Sequence, residues 1–217
     1  LQSNPISPAH AGLFYCRKGH VLKSETTCGV DETGRGSGVG EIYCCAVILD
    51  NSVIIKGLTD SKLLSAKKRE ALALEIKEKA VAWNIATASL EEIIEFNVLG
   101  ATLRAMTRAV EGLSVQPEQV LVDGNQPPAL SVPVTTIVQG DLTVPAISAA
   151  SIIAKVARDQ NMDELHKEYP LYGFDKHKGY LTKAHLAALS TYGPCPAHRI
   201  TYAPIKKLLD NDQGSLF

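Results

Sequence analysis

A chain of 217 residues with a formal net charge of -1, 45% hydrophobic and 21% charged, reads as one sizeable globular domain. No apolar run approaches the length needed to cross a bilayer, so no membrane role is expected. Near-neutral charge means that a nucleic-acid partner would have to be met by basic residues gathered on one face.

The first residues, "LQSNPISPAH", lack an initiating Met and are rich in Pro and Ser; residues 1–25 read as a processed or appended arm outside the folded unit, which is expected to span 26–209. "TTCGVD" predicts a short strand, "EIYCCAVIL" a long apolar one, and "NSVIIKG" a third after the Asp50-Asn51 turn, an opening antiparallel meander. Ser65 predicts the N-cap of a helix over "AKKREALALEIKEKA", with Leu72, Ile76 and Lys79 on one side. "VAWNIATASL" reads as a strand and "SLEEIIEFNVLGATLRAMTRAVEGL" as a helix, with Asn97 and Gly100 marking a break or a close packing point. "QVLVDG" and "PVTTIVQGD" are strands ending at Asp123 and near Asp141, and "VPAISAASIIAKVARDQNMDELHKEY" is the longest helix. This succession predicts an α/β layer fold. The polar end, residues 210–217, reads as a flexible tail closing on Leu216 and Phe217.

Cys16, Cys28, Cys44, Cys45 and Cys195 show no C-x-x-C pairing and are expected as buried free thiols in a reducing compartment, which points to the cytoplasm. The six histidines lack the spacing of a zinc site and are expected on the surface or in the core.

The chemistry concentrates in carboxylates. Asp31 and Glu32 leave the first strand, Asp123 ends another, and Asp141 follows a third, positions where α/β sheets collect ligands. Successive strand residues alternate faces, so Asp31 and Glu32 share a site only if the strand ends or bends there, a bend that Gly34 and Gly36 make cheap. Four converging carboxylates repel one another unless cations intervene. All-oxygen ligands favour Mg²⁺ or Mn²⁺, and two such ions about 4 Å apart clamp the attacking and leaving oxygens of a phosphodiester. The competing reading is four unrelated turn or cap carboxylates. "GRGSGVG" matches neither the dinucleotide fingerprint, since Val39 and Glu41 stand where glycines are required, nor a Walker loop. Its glycines either bring backbone close to a bulky ligand, with Arg35 free for phosphate, or make a plain tight turn.

"GVDETGRG", "TDSKLLS", "VDGN", the Gly140-Asp141 pair, "ISAASIIAKVARDQNM", "YPLYGFDKHKGYLTKAH" and "GPCPAHR", in that order over residues 28–207, resemble ribonuclease HII, the type 2 ribonuclease H of bacteria. The resemblance implies an RNase H-like mixed sheet flanked by helices, with a helical C-terminal part. It also implies Mg²⁺- or Mn²⁺-dependent hydrolysis of RNA in RNA-DNA hybrids and cutting 5′ of single ribonucleotides embedded in duplex DNA. Two-metal in-line attack would leave 3′-OH and 5′-phosphate ends. Asp31, Glu32, Asp123 and Asp141 fall on the family's metal ligands; Asp159, deep in the long helix, reads as a structural ion-pair partner. Gly34, Arg35 and Gly36 match the turn that reads the ribose 2′-OH through backbone, and Tyr180 the tyrosine that packs on the next sugar.

Phosphate contacts are expected from Lys62 and from a polar stripe of the long helix, Ser148, Ser151, Lys155 and Arg158, opposite Ile152, Ile153 and Val156. Lys176, Lys178 and Lys183 form a duplex-binding segment that His177, His185, His198 and Arg199 could join. Ser37, Gly38 and Glu41 depart from the family's Pro-containing continuation of the turn, and "HRITYAP" from its usual second Arg and Ser-Phe pair. "QGSLF" resembles a bacterial peptide that docks on the replicative sliding clamp, with Gln213, Leu216 and Phe217 as contacts. A monomer is expected. The type 3 enzymes typically add an N-terminal substrate-binding domain, for which about 27 residues before the first strand leave no room, and a non-catalytic hybrid-binding module would lack one or more of the four carboxylates.

Overall fold

The structure, a computed structural model, describes residues 26–214, those from 210 onward by backbone alone. A five-stranded sheet runs in the order β3-β2-β1-β4-β5, formed by β1 (Thr27–Thr33), β2 (Ile42–Ile48), β3 (Ala82–Ala88), β4 (Gln119–Asp123) and β5 (Val134–Ile137). β1 pairs antiparallel with β2 and β2 with β3, whereas β1–β4 and β4–β5 are parallel. The sheet is therefore mixed, with helices on both faces.

β2 shows why its sequence is nearly continuous in apolar residues. Cys44, Ala46 and Ile48 face one core with Val30, Val120 and Val122, covered by α2 (Leu90–Glu111). Cys45 and Val47 face the other, covered by α1 (Ala66–Lys79) and the long α4 (Pro145–Glu168). A strand buried on both faces has no polar side to alternate with. All four described cysteines are buried free thiols, as expected; Cys16 lies outside the described residues.

Local signals place the helices. Ser65 caps α1 by accepting from the Lys68 N–H at 3.4 Å, and Ser89 with Glu92 forms a reciprocal capping box on α2. Asn97 breaks α2 at φ 57°, where its side chain accepts from the Leu99 and Gly100 N–H groups, so the expected break is real.

The third predicted strand is not formed. Asp50 accepts from the Ser52 N–H at 2.8 Å and its carbonyl from Val53 at 3.0 Å, which turns the chain away from the sheet. Ile54 is left 80% exposed, Ile55 and Leu58 pack beneath, and the edge of β2 goes to β3. The meander exists, closed by Ala82–Ala88 and not by residues 51–57.

Beyond α3 (Gly140–Thr143) and α4, the C-terminal part comprises α5 (Phe174–His177), α6 (Lys183–Tyr192) and α7 (Ala203–Gly214). It has its own core of Val39, Met162, Tyr172, Phe174, Leu189 and Ile205. Val39 belongs to the glycine-rich loop, so that loop is built into the C-terminal unit. Helix α7 runs through Gly214, so residues 210–214, expected in a tail, are helical backbone.

Candidate active site

Parallel pairing of β1 and β4 ends at Val30 and Val122, and the next residues are Asp31 and Asp123. Asp141 arrives from the short α3, which follows β5 beside β4. Asp123 Oδ1 accepts from the Gly140 N–H at 2.8 Å and the Asp141 N–H at 3.4 Å, so one ligand candidate fixes the loop that carries another. The Ser148 hydroxyl donates to the Asp141 carbonyl at 2.7 Å from the opposite side.

Asp31 and Glu32 reach one site without the bend that their adjacency suggested. β1 stays extended through Thr33 and turns only at Gly34, φ 98°. Asp31 points to the α4 face, where Ser151 hydrogen-bonds it. Glu32 lies on the α2 side with Thr102, Leu103 and Asp123. At the end of a sheet, side chains from its two faces meet over the edge.

The electrostatics register the crowding. Burial first, then the charge of Glu32 and of Asp123, raises the Asp31 carboxyl well above its usual range. Burial also raises Glu32, with Asp123 adding to the shift while Arg35, 3.4 Å away, and Lys62 oppose it. Asp141 is raised by desolvation and then by Asp123. Desolvation works against the Lys62 ammonium, but Asp60, Asp141, Asp31 and Asp123 outweigh it and raise its pKa; its Nζ stands 3.9 Å from both Asp60 and Asp141. Among the described residues no group of three or more His, Cys, Asp or Glu side chains is already arranged to hold a metal ion. Asp31 and Asp123 each turn one oxygen onto a protein N–H. The donor set nevertheless fits hard divalent cations: all oxygen, mutually repelling, and relieved by positive charge between the carboxylates.

The glycines of "GRGSGVG" divide by function. A Cβ on Gly34 would stand 2.3 Å from Arg158 Nε, one on Gly38 2.7 Å from Leu181 Cδ2, and one on Gly40 2.7 Å from Met162 Cε. Those three are required by packing. Gly36 meets only Tyr180 Cε1 at 3.9 Å and is exposed, as is Arg35. Ser37 replaces the expected Pro without loosening the loop: buried, it takes the Val39 N–H and donates to the Val39 carbonyl, while its own N–H closes a turn on Gly34.

Sequence reasoning undervalued what holds this loop. Gly38 N–H bonds to the Gly179 carbonyl at 3.0 Å, and Val39 bridges His198. Arg199 donates from its backbone to Gly38, from Nε to Gly40 at 2.8 Å and from Nη1 to the Arg35 carbonyl at 3.1 Å, which Tyr202 also contacts. His185, His198 and Arg199, expected among duplex contacts, are instead buried. The side-chain partners of Arg199 at Gly40 and Arg35 lie some 160 residues earlier in the chain, beyond any local pattern.

The polar stripe of α4 is likewise no open face. Ser148 holds the backbone of Asp141, and Ser151 bonds the Asp31 carboxyl and also Ser61 at 3.0 Å. Lys155 is tied at 2.6 Å to Asp159, which pairs with Arg69, the structural role expected of Asp159. Arg158 is 0% exposed, beneath Gly34, bonded to the Lys178 carbonyl at 3.0 Å and 5.6 Å from the Tyr180 ring. It supports the turn and cannot touch a phosphate as placed. Lys178 is bound to Asp163, whereas Tyr180 (40% exposed), Lys176 and Lys183 face outward. Gln213 lies in α7 with its side chain outside the description, and Leu216 and Phe217 lie outside the described residues. No helix among the described residues is long and apolar enough to cross a membrane.

The family model for ribonuclease HII matches residues 28–205. Ribonuclease HII of Desulforamulus reducens is 60% identical over 193 residues, 88% of this chain and 98% of that protein. The crystal structure of ribonuclease H2 from Pyrococcus horikoshii superposes with a TM-score of 0.74 at 25% identity, covering 87% of this chain and 99% of that one. The structure of the PCNA:RNase HII complex from Archaeoglobus fulgidus gives 0.67 at 24% identity over 85% and 99%. The mixed sheet, the carboxylates at the ends of its strands and these likenesses agree: the chain belongs to the ribonuclease HII family, the metal-dependent type 2 ribonucleases H.

Proposed function

We propose that the protein hydrolyses RNA in RNA-DNA hybrids and cuts on the 5′ side of single ribonucleotides embedded in duplex DNA, leaving 3′-OH and 5′-phosphate ends. One observation carries the reading: Asp31, Glu32, Asp123 and Asp141, whose charges act on one another, lie at one end of the sheet beside a turn whose Gly36 is exposed and has no internal packing reason to be glycine.

Asp31, Glu32, Asp123 and Asp141 would hold two Mg²⁺ or Mn²⁺ ions, which when bound supply water activation and stabilisation of the leaving 3′ oxygen. The chain's own groups do the rest. Lys62 and Arg35 offer cations to the phosphates beside the carboxylates. The backbone of Gly34–Gly36, free of side-chain bulk at Gly36, reads the 2′-OH, the group that separates RNA from DNA. Tyr180, against Gly36, packs on the following sugar and favours deoxyribose there. The exposed Lys176 and Lys183 extend the contact along the duplex backbone. Gln213, Leu216 and Phe217 would dock on a sliding clamp; support comes from their pattern and from the Archaeoglobus relative having been solved with PCNA.

The test presents the protein and Mg²⁺ with a duplex containing one ribonucleotide, an all-DNA duplex and a continuous hybrid. Cutting 5′ of the ribonucleotide and within the hybrid, with the all-DNA duplex intact, is expected. Asp123→Asn should lower both activities by at least about a hundredfold without unfolding the protein. Wild-type rates in that variant would overturn the assignment.

A further inference from the structure

Between the exposed tyrosine and the loop-gripping segment lies a pair of histidines that the chemistry above does not use. His185 Nε2 and His198 Nε2 are 3.0 Å apart, both rings buried. Two ring nitrogens bond only if one carries hydrogen and the other does not, and the ends of the chain of bonds decide which. His185 Nδ1 lies 3.0 Å from the Tyr180 carbonyl, an acceptor, so Nδ1 is the donor and Nε2 bears the lone pair. At the other end His198 Nδ1 has both the Cys195 N–H, a donor at 2.9 Å, and the Cys195 carbonyl, an acceptor at 3.2 Å, so this end alone does not choose; the lone pair on His185 Nε2 does, since His198 Nε2–H must donate to it and a neutral His198 then accepts at Nδ1 from the nearer Cys195 N–H. The His185 end sets the arrangement and the Cys195 N–H fits it: Cys195 N–H to His198, His198 to His185, His185 to the Tyr180 carbonyl.

The surroundings keep both rings neutral. His177 stacks on His185 at 4.4 Å, Tyr172 packs edge-on to His198 at 4.9 Å, and the Cys195 thiol is 3.0 Å from His198 Nδ1. Burial, and in His198 also its neighbour, pushes each ring down to about 4. One terminus of this chain is the backbone of the residue that faces Gly36; the other adjoins His198 and Arg199, which bridge Val39 and hold Arg35, Gly38 and Gly40.

We infer that His185 and His198 are positioning residues for discrimination: His198 fixes the tautomer of His185, and His185 Nδ1–H holds Tyr180 at its spacing from the Gly34–Gly36 turn. The inference rests on the reading of Tyr180 as the group that favours deoxyribose after the ribonucleotide. The pair touches no substrate and sets the geometry of groups that do. A ring held by two directional bonds defines the Tyr180 backbone more tightly than packing against Phe174 alone would.

The amides of Asn and Gln separate the two bonds. An Asn amide nitrogen reaches the place of Nδ1 and keeps the donation to Tyr180, whereas a Gln amide reaches the place of Nε2 and loses it. The readout is the ratio of kcat/KM on a single-ribonucleotide duplex to that on a continuous hybrid, in Mg²⁺, for variants whose melting shows them folded. His185→Gln should lower the ratio about 3- to 10-fold, a hydrogen bond's worth, His185→Asn should keep most of it, and Tyr180→Ala should set the floor. Tyr180→Ala combined with His185→Gln should fall no lower than Tyr180→Ala alone. An unchanged ratio in Tyr180→Ala overturns the reading of Tyr180 and the inference with it. A changed ratio there with a wild-type ratio in His185→Gln, or equal losses on both substrates, overturns the inference alone. Nitrogen NMR of the unmodified protein gives a check independent of variant folding: Nδ1–H on His185 and Nε2–H on His198 are expected, and the opposite pair of tautomers refutes the mechanism.

Discussion

Replacing Gly36 and Gly34 separately by Ala distinguishes a glycine kept for substrate from one kept for packing. At Gly34 the backbone has φ 98° and a new Cβ would stand 2.3 Å from Arg158 Nε and 2.8 Å from its Cδ, in a place where the guanidinium has no room to retreat. Left-handed backbone costs an L side chain about 1–2 kcal/mol and overpacking about 1–3 kcal/mol, so Gly34→Ala should lose roughly 2–5 kcal/mol. At about 2–4 °C per kcal/mol for a chain of this size, its Tm should fall by roughly 4–20 °C. At Gly36 φ is not left-handed and the nearest atom is Tyr180 Cε1 at 3.9 Å, an ordinary contact. There the methyl restricts the unfolded chain and should gain about 0.4–1 kcal/mol, leaving Tm unchanged or a few degrees higher. Yet it would stand where the 2′-OH must approach backbone, so kcat/KM on a single-ribonucleotide duplex should drop about tenfold or more. The assays are thermal melting of both variants and incision of that duplex in Mg²⁺. Wild-type incision by Gly36→Ala, or a melting loss matching that of Gly34→Ala, would refute the division of the glycines.

Three further outcomes follow from the electrostatics and the tail. Asp31 is buried with its carboxyl pKa raised, so the folded state binds that proton more tightly than the unfolded chain and loses stability as pH rises through the raised value. Asp31→Asn should therefore melt higher than wild type without cation at pH 7. Mg²⁺ at about a hundred times its Kd should raise wild-type Tm by roughly 5–11 °C and the variant less; a lower-melting variant contradicts this. The histidine pair works in the opposite sense. With folded values of about 4 against an ordinary 6.5, the unfolded chain takes up protons first, so stability is lost as pH falls from about 6.5 towards 4. Urea unfolding should show wild type losing its advantage over His198→Gln by roughly 1–3 kcal/mol between pH 7 and 4.5, and a gap independent of pH would count against neutral rings. Deleting Leu216 and Phe217 should weaken co-elution with a bacterial sliding clamp while leaving incision rates intact; equal co-elution rules out docking by the tail.

What the sequence made legible and what it hid follow one physical boundary. Asp31, Glu32, Asp123 and Asp141 could be grouped because a strand's exit is a local property, and three such exits carrying four carboxylates point to one end of a sheet. Ser65 and Asn97 were legible for the same reason, since a cap or a break bonds residues two or three positions away. The run at 51–57 shows where that locality fails. Its apolar residues suit a strand, but Asp50 turns the chain and β3 occupies the only edge that β2 had to offer.

Arg158 and Arg199 show the deeper limit. A cation at helical spacing beside Lys155 looks solvated from its own neighbourhood, and whether it is buried depends on what lies above it. Above Arg158 lies Gly34, more than a hundred residues earlier, whose missing side chain makes the space that the guanidinium fills. The glycine and the arginine are thus two halves of one packing statement, each ambiguous alone. The same holds for Gly38 and Gly40, which serve Leu181 and Met162 and take Arg199 on their carbonyls. Four alternate glycines beside an acidic pair therefore carry two messages. Three of them record that α4 and the C-terminal part close over this loop, and Gly36, whose Cβ would meet only Tyr180 at 3.9 Å, is the one that the proposed 2′-OH contact would explain.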